Sequence, residues 1–255
     1  ERIQWSDAIK EIQKNWIGRS QGAEIDFVVR GTLKTLKVFT TRPDTIFGAT
    51  FMVVAPELEN LKEYCSDAQW PAVQEYANKA KNRSEIDRMA DTTKTGVFTG
   101  LEAINPFTGE PIPIWVSDYV LANYGTGVIM AVPAHDDRDF AFASTFNLSI
   151  VPVIKPANTE LELPLTESFS AKEGICFNSG FLDGLTVKEA IQAAINKVEK
   201  AGWGQPKVNY KLREAGFGRH RYWGEPFPIK YDSEGIPQLE NQLPVELPQV
   251  ESYKP

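Results

Sequence analysis

Short apolar runs that stop at proline place the strongest constraint on what this chain can fold into. Residues 50–55 form one such run before Pro56, and residues 128–132 form another before Pro133. Apolar runs of this length, bounded by turn residues, are typical of buried strands. Because such runs alternate with a few helical patterns, the sequence predicts an α/β fold: a mixed, partly closed, barrel-like sheet with surrounding helices.

Hydrophobic periodicity and turn residues together predict the elements along the chain. The predicted helices span residues 5–20, 67–81, 84–89, 136–146 and 187–200. The predicted strands span residues 25–30, 34–40, 50–55, 96–99, 112–116, 127–132 and 151–154. The last helix has the clearest boundaries, with Thr186 as its N-cap and Gly202 after its final turn. Beyond Gly202 the chain becomes basic and aromatic and then proline-rich, which predicts a connector and a tail.

The charge of the chain argues against tight binding of nucleic acid by this chain alone. Its formal net charge is −7, from 34 acidic and 27 basic residues, whereas proteins that grip a phosphate backbone are usually basic. Basic residues nevertheless gather near the C-terminus: Lys207, Lys211, Arg213, Arg219 and Arg221. We interpret this cluster either as a solvated face or as a local contact with an RNA backbone.

Cysteine usage and hydropathy indicate the setting of the protein. Cys65 and Cys176 lack the spacing of a zinc site, so we expect neither a metal nor another cofactor. Two isolated thiols fit a reducing, cytoplasmic environment. No apolar run reaches the length of a membrane span, so we expect no membrane partner. The chain begins at Glu1 rather than at methionine, and we expect it to be part of a longer polypeptide.

The first candidate functional segment is a group of hydroxyls directly after the predicted strand 34–40. Thr40, Thr41 and Thr45 lie within six residues of one another, on either side of Arg42 and a proline. Hydroxyl groups both donate and accept hydrogen bonds, so they can hold a carbonyl oxygen or a water. The alternative is a strand end whose threonines bond to their own backbone.

The second candidate segment places carboxylates at the start of the predicted helix 136–146. Asp136 and Asp139 are three residues apart and are expected to share a face. A carboxylate pair can bind an ammonium group through charge-assisted hydrogen bonds, although N-capping is the commoner use of aspartate there. His135, just before them, is either a general base or a loop residue bonded to the backbone.

Brought together, the two segments could hold a cationic amine and an ester, which predicts hydrolysis of an aminoacyl group without a metal. The sequence contains no GxSxG, HExxH or Walker motif. Hydrolysis through a protein nucleophile and phosphate transfer therefore lack support.

Several motifs together resemble the leucyl-tRNA synthetases, of the bacterial type. The matching segments are residues 15–20 (NWIGRS), 40–50 (TTRPDTIFGAT), 125–139 (GTGVIMAVPAHDDRD), 177–185 (FNSGFLDGL) and 219–224 (RHRYWG). The isoleucyl and valyl enzymes share parts of two motifs but usually lack a stretch like residues 130–136. His220 stands where the family commonly has glutamine, in a segment that resembles the return into the synthetase body.

The resemblance implies an editing domain with its connectors. Residues 1–22 would be an entry connector, residues 23–205 the editing domain with its family fold, and residues 206–255 a return connector and proline-rich tail. The implied activity is hydrolysis of mischarged tRNA(Leu) at its 3′ end, with cognate leucine rejected. The rest of the synthetase would be the other partner. HIGH-like and KMSKS-like signatures do not occur, so we expect no aminoacylation by this chain.

The resemblance also implies roles for individual residues. Asp139 would anchor the ammonium group of the amino acid, while Thr40 and Thr41 would position the ester or the attacking water. Thr45 would crowd the side-chain pocket against leucine. The implied substrate-binding residues are Arg42, Thr45, Tyr124, Met130, Val132, Asp136 and Arg138. Of these, Tyr124 would contact the terminal adenosine, and Arg138 would orient a carboxylate or approach a phosphate.

Two alternatives stay open on the sequence. One is an editing domain of the isoleucyl or valyl type, which would clear a different mischarged tRNA. The other is a module that docks the tRNA end without catalysis, which predicts binding without turnover.

Overall fold

The computed structural model describes residues 3–81, 94–122, 125–157, 161–170, 173–210, 228–233 and 236–246. The chain divides into two compact units. The larger unit is Arg19–Asn209, and the smaller combines Glu1–Gly18 with Tyr210–Pro255. The predicted functional boundaries near residues 22 and 205 stay predictions.

Four helices and eleven strands lie within the described residues. The helices are α1 (Asp7–Ile17), α2 (Trp70–Lys81), α3 (Asp137–Phe146) and α4 (Val187–Ala201). The strands are β1 (Arg19–Val29), β2 (Thr35–Thr40), β3 (Phe51–Val54), β4 (Val97–Ile104), β5 (Pro111–Val116), β6 (Val128–Ala131), β7 (Ile154–Lys155), β8 (Ile175–Cys176), β9 (Gly204–Tyr210), β10 (Ile229–Tyr231) and β11 (Pro237–Leu239). None of these helices is long and apolar enough to cross a membrane.

The main sheet is mixed, as predicted. Its strand order is β2-β1-β4-β5-β3-β6, and β9 pairs with β1 outside this path. β3 runs parallel to β5, whereas β1 with β2, β4 with β5 and β3 with β6 are antiparallel. Two small antiparallel pairs, β7–β8 and β10–β11, complete the described strands; the second lies in the smaller unit with α1.

The sheet is not closed into a barrel, so the predicted barrel-like closure is wrong. β2 and β6 stand at the two ends of the strand order and do not pair with each other in the described part of the chain. Residues of both strands line one cavity instead. Space between the two edges is therefore left for a site rather than filled by ladder hydrogen bonds.

β3 is buried on both faces, which explains its continuous apolar sequence. Met52 and Val54 belong to the larger hydrophobic core. Phe51 and Val53 belong to a second core on the opposite face, since alternate residues of a strand point to opposite sides. The ring of Phe142, from α3, stacks on that of Phe51 with 5.3 Å between centroids. This packing holds the start of α3 close to the end of β6.

Helix boundaries follow the predicted capping residues. Thr186 caps α4 through a capping box with Glu189, and Gly202 ends that helix at φ 70°. Gly18 ends α1 in the same left-handed conformation. The predicted helix 84–89 lies outside the described residues. The predicted strand 151–154 is a strand only from its last residue, as Ile154–Lys155.

Strand β9 was missed by the sequence prediction. The basic, aromatic and then proline-rich character of the chain beyond Gly202 predicts a connector, whereas Gly204–Tyr210 forms a strand. An edge strand tolerates proline, since one side of its backbone makes no ladder bonds. β9 adds to β1 near the predicted end of the editing region.

Candidate active site

Two adjoining cavities lie at the end of β2, beside β6 and the start of α3. The smaller cavity has a volume of about 220 Å³ and the larger about 640 Å³. The residues shared by both linings are Thr41, Arg42, His135, Asp136 and Arg138. The smaller cavity also reaches Thr40, Thr45, Met130, Val132 and Asp139. The structure thus brings together nine of the ten residues that the sequence singled out.

The threonine segment divides into satisfied and available hydroxyls. The Thr40 hydroxyl accepts a hydrogen bond from the Arg42 N–H at 3.0 Å, and the Thr45 hydroxyl donates to the Arg42 carbonyl at 2.9 Å. These are the local backbone bonds of the alternative interpretation. Thr41 is exposed, and its hydroxyl has no partner among the described residues. Thr41 is therefore the hydroxyl most available to a ligand.

Arg42 is tied back into its own turn by a two-point ion pair. Its Nε donates to Oδ1 of Asp44 at 3.0 Å, and its Nη2 donates to Oδ2 at 2.8 Å. Asp44 is fully buried, and 29% of the Arg42 side chain is exposed. Bidentate pairing of this kind fixes a guanidinium in place. Arg42 is therefore a rigid wall between the two cavities, with its charge already compensated.

Asp139 is the most perturbed group at the site. It is only 4% exposed. Its Oδ2 accepts from the Val132 N–H at 2.8 Å, and its Oδ1 accepts from the Tyr119 hydroxyl at 2.9 Å. Burial, reinforced by the negative charge of Asp136, raises the pKa of Asp139 to about 7, although both hydrogen bonds act in the opposite direction. A carboxylate of this kind changes its charge near neutral pH.

Asp136 acts first as the N-cap of α3. Its carboxylate accepts from the backbone N–H groups of Arg138 and Asp139 at 2.9 and 3.2 Å. The Arg138 guanidinium adds an ion pair at 3.1 Å. Burial favours a higher pKa for Asp136, but the hydrogen bonds and charge of Arg138 and the backbone donors outweigh it and lower the pKa. The capping interpretation of Asp136 is what the structure shows, and its contact with an ammonium group stays a prediction.

The apolar wall of the smaller cavity comes from the end of β6 and the 3₁₀ turn Pro43–Gly48. Met130 and Val132 are 7% and 6% exposed, and Thr45, in that turn, is 3% exposed. All three side chains line the smaller cavity. Tyr124, the predicted contact for an adenosine, lies outside the described residues.

His135 fastens the loop before α3 to the facing segment. Its Nδ1 lies 2.9 Å from the Phe169 carbonyl, and its Nε2 accepts from the backbone N–H groups of Val153 and Ile154 at 2.9 and 3.1 Å. An Nε2 that accepts two N–H bonds places the proton on Nδ1, which donates to the carbonyl. Burial lowers the pKa of His135, which keeps the ring neutral. The backbone-bonded interpretation is therefore the correct one, and a general-base role for His135 is wrong.

Tyr119 is a site residue that sequence reasoning missed. It follows Asp118 in an ordinary turn sequence, and nothing in its spacing marks it. Only the packed structure places its hydroxyl on Asp139.

The remaining titratable groups near the site are accounted for. The third acidic residue, Asp137, accepts hydrogen bonds from Ser168 and Ser170 at the rim of the larger cavity. Burial raises the pKa of the Cys65 and Cys176 thiols to about 11, so both are poor nucleophiles. Within the described ranges, no three His, Cys, Asp or Glu side chains are grouped as a metal ligand set.

Comparison with known proteins agrees with this geometry. The model of a family described as leucyl-tRNA synthetase, editing domain, matches residues 14–199. The leucine–tRNA ligase of Parabacteroides distasonis is 51% identical over 265 residues, covering 99% of this chain and 28% of that protein. The enzyme of Porphyromonas gingivalis is 51% identical over 259 residues, covering 100% of this chain and 28% of that protein.

A solved structure is similar as well. The crystal structure of the ternary complex of Agrobacterium radiobacter K84 agnB2 LeuRS, tRNA and LeuAMS has 31% identity and a TM-score of 0.63. The match covers 98% of this chain and 28% of that chain. The chain thus spans under a third of the length of these relatives. The predicted resemblance is confirmed, and this chain belongs to the leucyl-tRNA synthetase editing-domain family.

Proposed function

We propose that this chain hydrolyses the ester between a wrong amino acid and the 3′ end of tRNA(Leu). One observation carries the proposal: the buried carboxylate of Asp139 and the free hydroxyl of Thr41 line the same small cavity. The carboxylate can bind the ammonium group that every aminoacyl ester carries, and the hydroxyl can hold water or the ester carbonyl. Membership of an editing-domain family supports the same conclusion.

The reaction uses water as the nucleophile. Water held by Thr41, and by Thr40 through its remaining hydroxyl proton, adds to the ester carbonyl carbon. The bond from that carbon to the ribose oxygen then breaks, the ribose oxygen takes up the proton lost by the attacking water and leaves as a hydroxyl, and the free amino acid departs. Each step relies on positioning and on hydrogen bonds rather than on a covalent intermediate with the protein.

In this proposal, rejection of leucine depends on the shape of the smaller cavity, because leucine and isoleucine differ in where the side chain branches. A hydrophobic pocket separates side chains that differ by one methylene by only about 1–3 kcal/mol, a limit established on aminoacyl-tRNA synthetases themselves. A second site must therefore exclude the correct amino acid. Thr45 is held by its bond to the Arg42 carbonyl, with Met130 and Val132 in the same cavity lining. In this proposal Thr45 blocks a γ-branched side chain.

The larger cavity is the place for the terminal nucleotide. Arg138 lines it, and it shares Thr41 and Arg42 with the smaller cavity. The solved relative is a complex with tRNA. We assign tRNA(Leu) and the rest of the synthetase as partners of this chain, in the cytoplasm, with Asp136 beside the bound ammonium group.

A deacylation assay tests the proposal. The chain is incubated with isoleucyl-tRNA(Leu) and with leucyl-tRNA(Leu), and release of each amino acid is followed. We expect isoleucine to be released and leucine retained. Asp139→Ala should lower the isoleucine rate at least a hundredfold because the ammonium group loses its anchor, whereas Asp26→Ala, a surface acid paired with Lys37, should not.

Thr45→Ala is expected to release leucine as well, at a rate approaching that for isoleucine. If leucyl-tRNA stays intact with this variant, Thr45 is not the residue that excludes leucine. Binding of tRNA without turnover by the wild-type chain would favour the docking module. Preferential clearance of valyl-tRNA(Ile) or threonyl-tRNA(Val) would favour the isoleucyl or valyl type.

A further inference from the structure

A tyrosine hydroxyl lies on the side of Asp139 that faces the protein interior. The Tyr119 hydroxyl donates to Oδ1 of Asp139 at 2.9 Å. Asp139 lines the smaller cavity, but Tyr119 does not. Tyr119 therefore reaches the site only through the carboxylate.

We propose that Tyr119 is a positioning residue for editing: its hydroxyl orients the Asp139 carboxylate and keeps it ionised for the ammonium group of the substrate. This inference rests on the proposed function of Asp139. It adds a residue from the turn after β5 to a site otherwise built from the ends of β2 and β6 and the start of α3.

The geometry of the carboxylate supports orientation. The Val132 N–H occupies one lone pair of Oδ2, and the Tyr119 hydroxyl occupies one lone pair of Oδ1. Two donors on different oxygens prevent rotation of the group about its Cβ–Cγ bond. One lone pair remains on each oxygen. The carboxylate thus presents a fixed pair of acceptors to an ammonium ion.

The packing of Tyr119 makes its hydroxyl a reliable donor. Its ring packs on Phe142, with 5.6 Å between centroids. Burial raises the pKa of Tyr119 well above its ordinary value of 10, and the negative charge of Asp139 acts in the same direction. The phenol therefore stays protonated throughout the range in which Asp139 titrates.

The charged groups around this pair are few in the described part of the chain. Asp136, the N-cap of α3, disfavours ionisation of Asp139, and Arg138, in the first turn of α3, favours it. Lys94 lies with its Nζ 5.7 Å from the centre of the Tyr119 ring. Burial outweighs the favourable groups, so the hydroxyl of Tyr119 is one of the few contacts that hold the charge on Asp139.

Removing the hydroxyl should shift the pH dependence of editing. In Tyr119→Phe, Oδ1 of Asp139 is buried without a donor, which favours its protonated form. The rate of isoleucyl-tRNA(Leu) deacylation is measured from pH 5.5 to 8.5 for both proteins. We expect the rate of the wild type to rise with a midpoint near pH 7, following the pKa of Asp139. The midpoint of the variant should move up by about one pH unit, the effect of one hydrogen bond to a charged group.

The matched control is Tyr76→Phe, which also removes the hydroxyl of a half-buried tyrosine. Tyr76 bonds to Thr95 and to the backbone of Asp118, and it does not touch Asp139. Its loss should leave the midpoint unchanged. At pH 6 the Tyr119→Phe rate should be about tenfold below that of the wild type, and most of the loss should disappear at pH 8.5.

An unchanged midpoint in Tyr119→Phe, or a loss of rate equal at every pH, would overturn the inference. A second measurement separates it from the proposed function. The carboxyl carbon of Asp139 is titrated by NMR in both proteins, which requires no activity. A higher pKa in Tyr119→Phe supports the positioning role even if no tRNA is hydrolysed, and an equal pKa refutes it.

Discussion

Replacing Asp139 by asparagine is expected to stabilise the folded chain at neutral pH while abolishing editing. Asparagine has the same shape as aspartate, and its amide can still pair with both neighbours. Its oxygen accepts from the Val132 N–H, and its NH₂ group donates to the Tyr119 oxygen, which rotates its proton away. The change therefore removes a buried charge while the side chain keeps a hydrogen bond to each neighbour.

The magnitude follows from the pKa of Asp139. Folding raises it from the usual 3.8 to about 7. Between these two values the folded state binds more protons than the unfolded state, so the free energy of unfolding falls as the pH rises. A difference of about three units corresponds to about 4 kcal/mol, reached near pH 8. The asparagine variant lacks this loss. Its free energy of unfolding should therefore rise relative to that of the wild type by about 2–4 kcal/mol from pH 4 to pH 8.

Urea unfolding at pH 4, 6 and 8 measures the difference between the two proteins. The two proteins are compared at each pH because His135 also makes stability depend on pH. Its lowered pKa makes the fold lose stability as the pH falls, and this loss is equal in both proteins. Asp136→Asn is the control. The pKa of Asp136 is lowered below 3.8, so its loss should cost a similar amount of stability at pH 4, 6 and 8. A constant difference between Asp139→Asn and the wild type across this range would refute the reasoning.

Two further predictions concern the frame of the site. His135→Phe should lower the free energy of unfolding at pH 7 by about 3 kcal/mol, because two buried backbone N–H groups lose their acceptor; unchanged urea unfolding would contradict this. Gly22→Ala should destabilise the chain by about 3 kcal/mol or more and slow deacylation, because a Cβ there would lie 1.9 Å from the Thr40 carbonyl oxygen. Gly109→Ala, which meets nothing within 4 Å, should cost only about 1–2 kcal/mol for its positive φ and leave the deacylation rate unchanged.

Local patterns predicted most of the elements well. The apolar run before Pro56 is strand β3, and Thr186 and Gly202 bound α4 as expected. These features depend on residues that are close in sequence, so their capping and burial preferences can be recognised from the sequence alone. The open sheet and strand β9 were not predicted, because strand partners are chosen by contacts between distant segments.

The composition of the candidate site was also predicted in large part. Residues 40–45 and 130–139 carry the hydroxyls and carboxylates, and both segments line one cavity. The role of each individual group was harder to predict from the sequence. Asp136 and Asp139 are chemically identical in the sequence, yet one caps α3 on the rim and the other is buried.

The order of residues is enough to specify where the helices begin, which strands are buried, and which two segments carry reactive groups, because each depends on short-range pattern. The division of labour between the two aspartates depends on the folded environment. The Val132 N–H and the Tyr119 hydroxyl, which contact Asp139, come from two separate stretches of chain. They set the charge of Asp139 only when packing has excluded water, since the free energy of a charge depends on its surroundings.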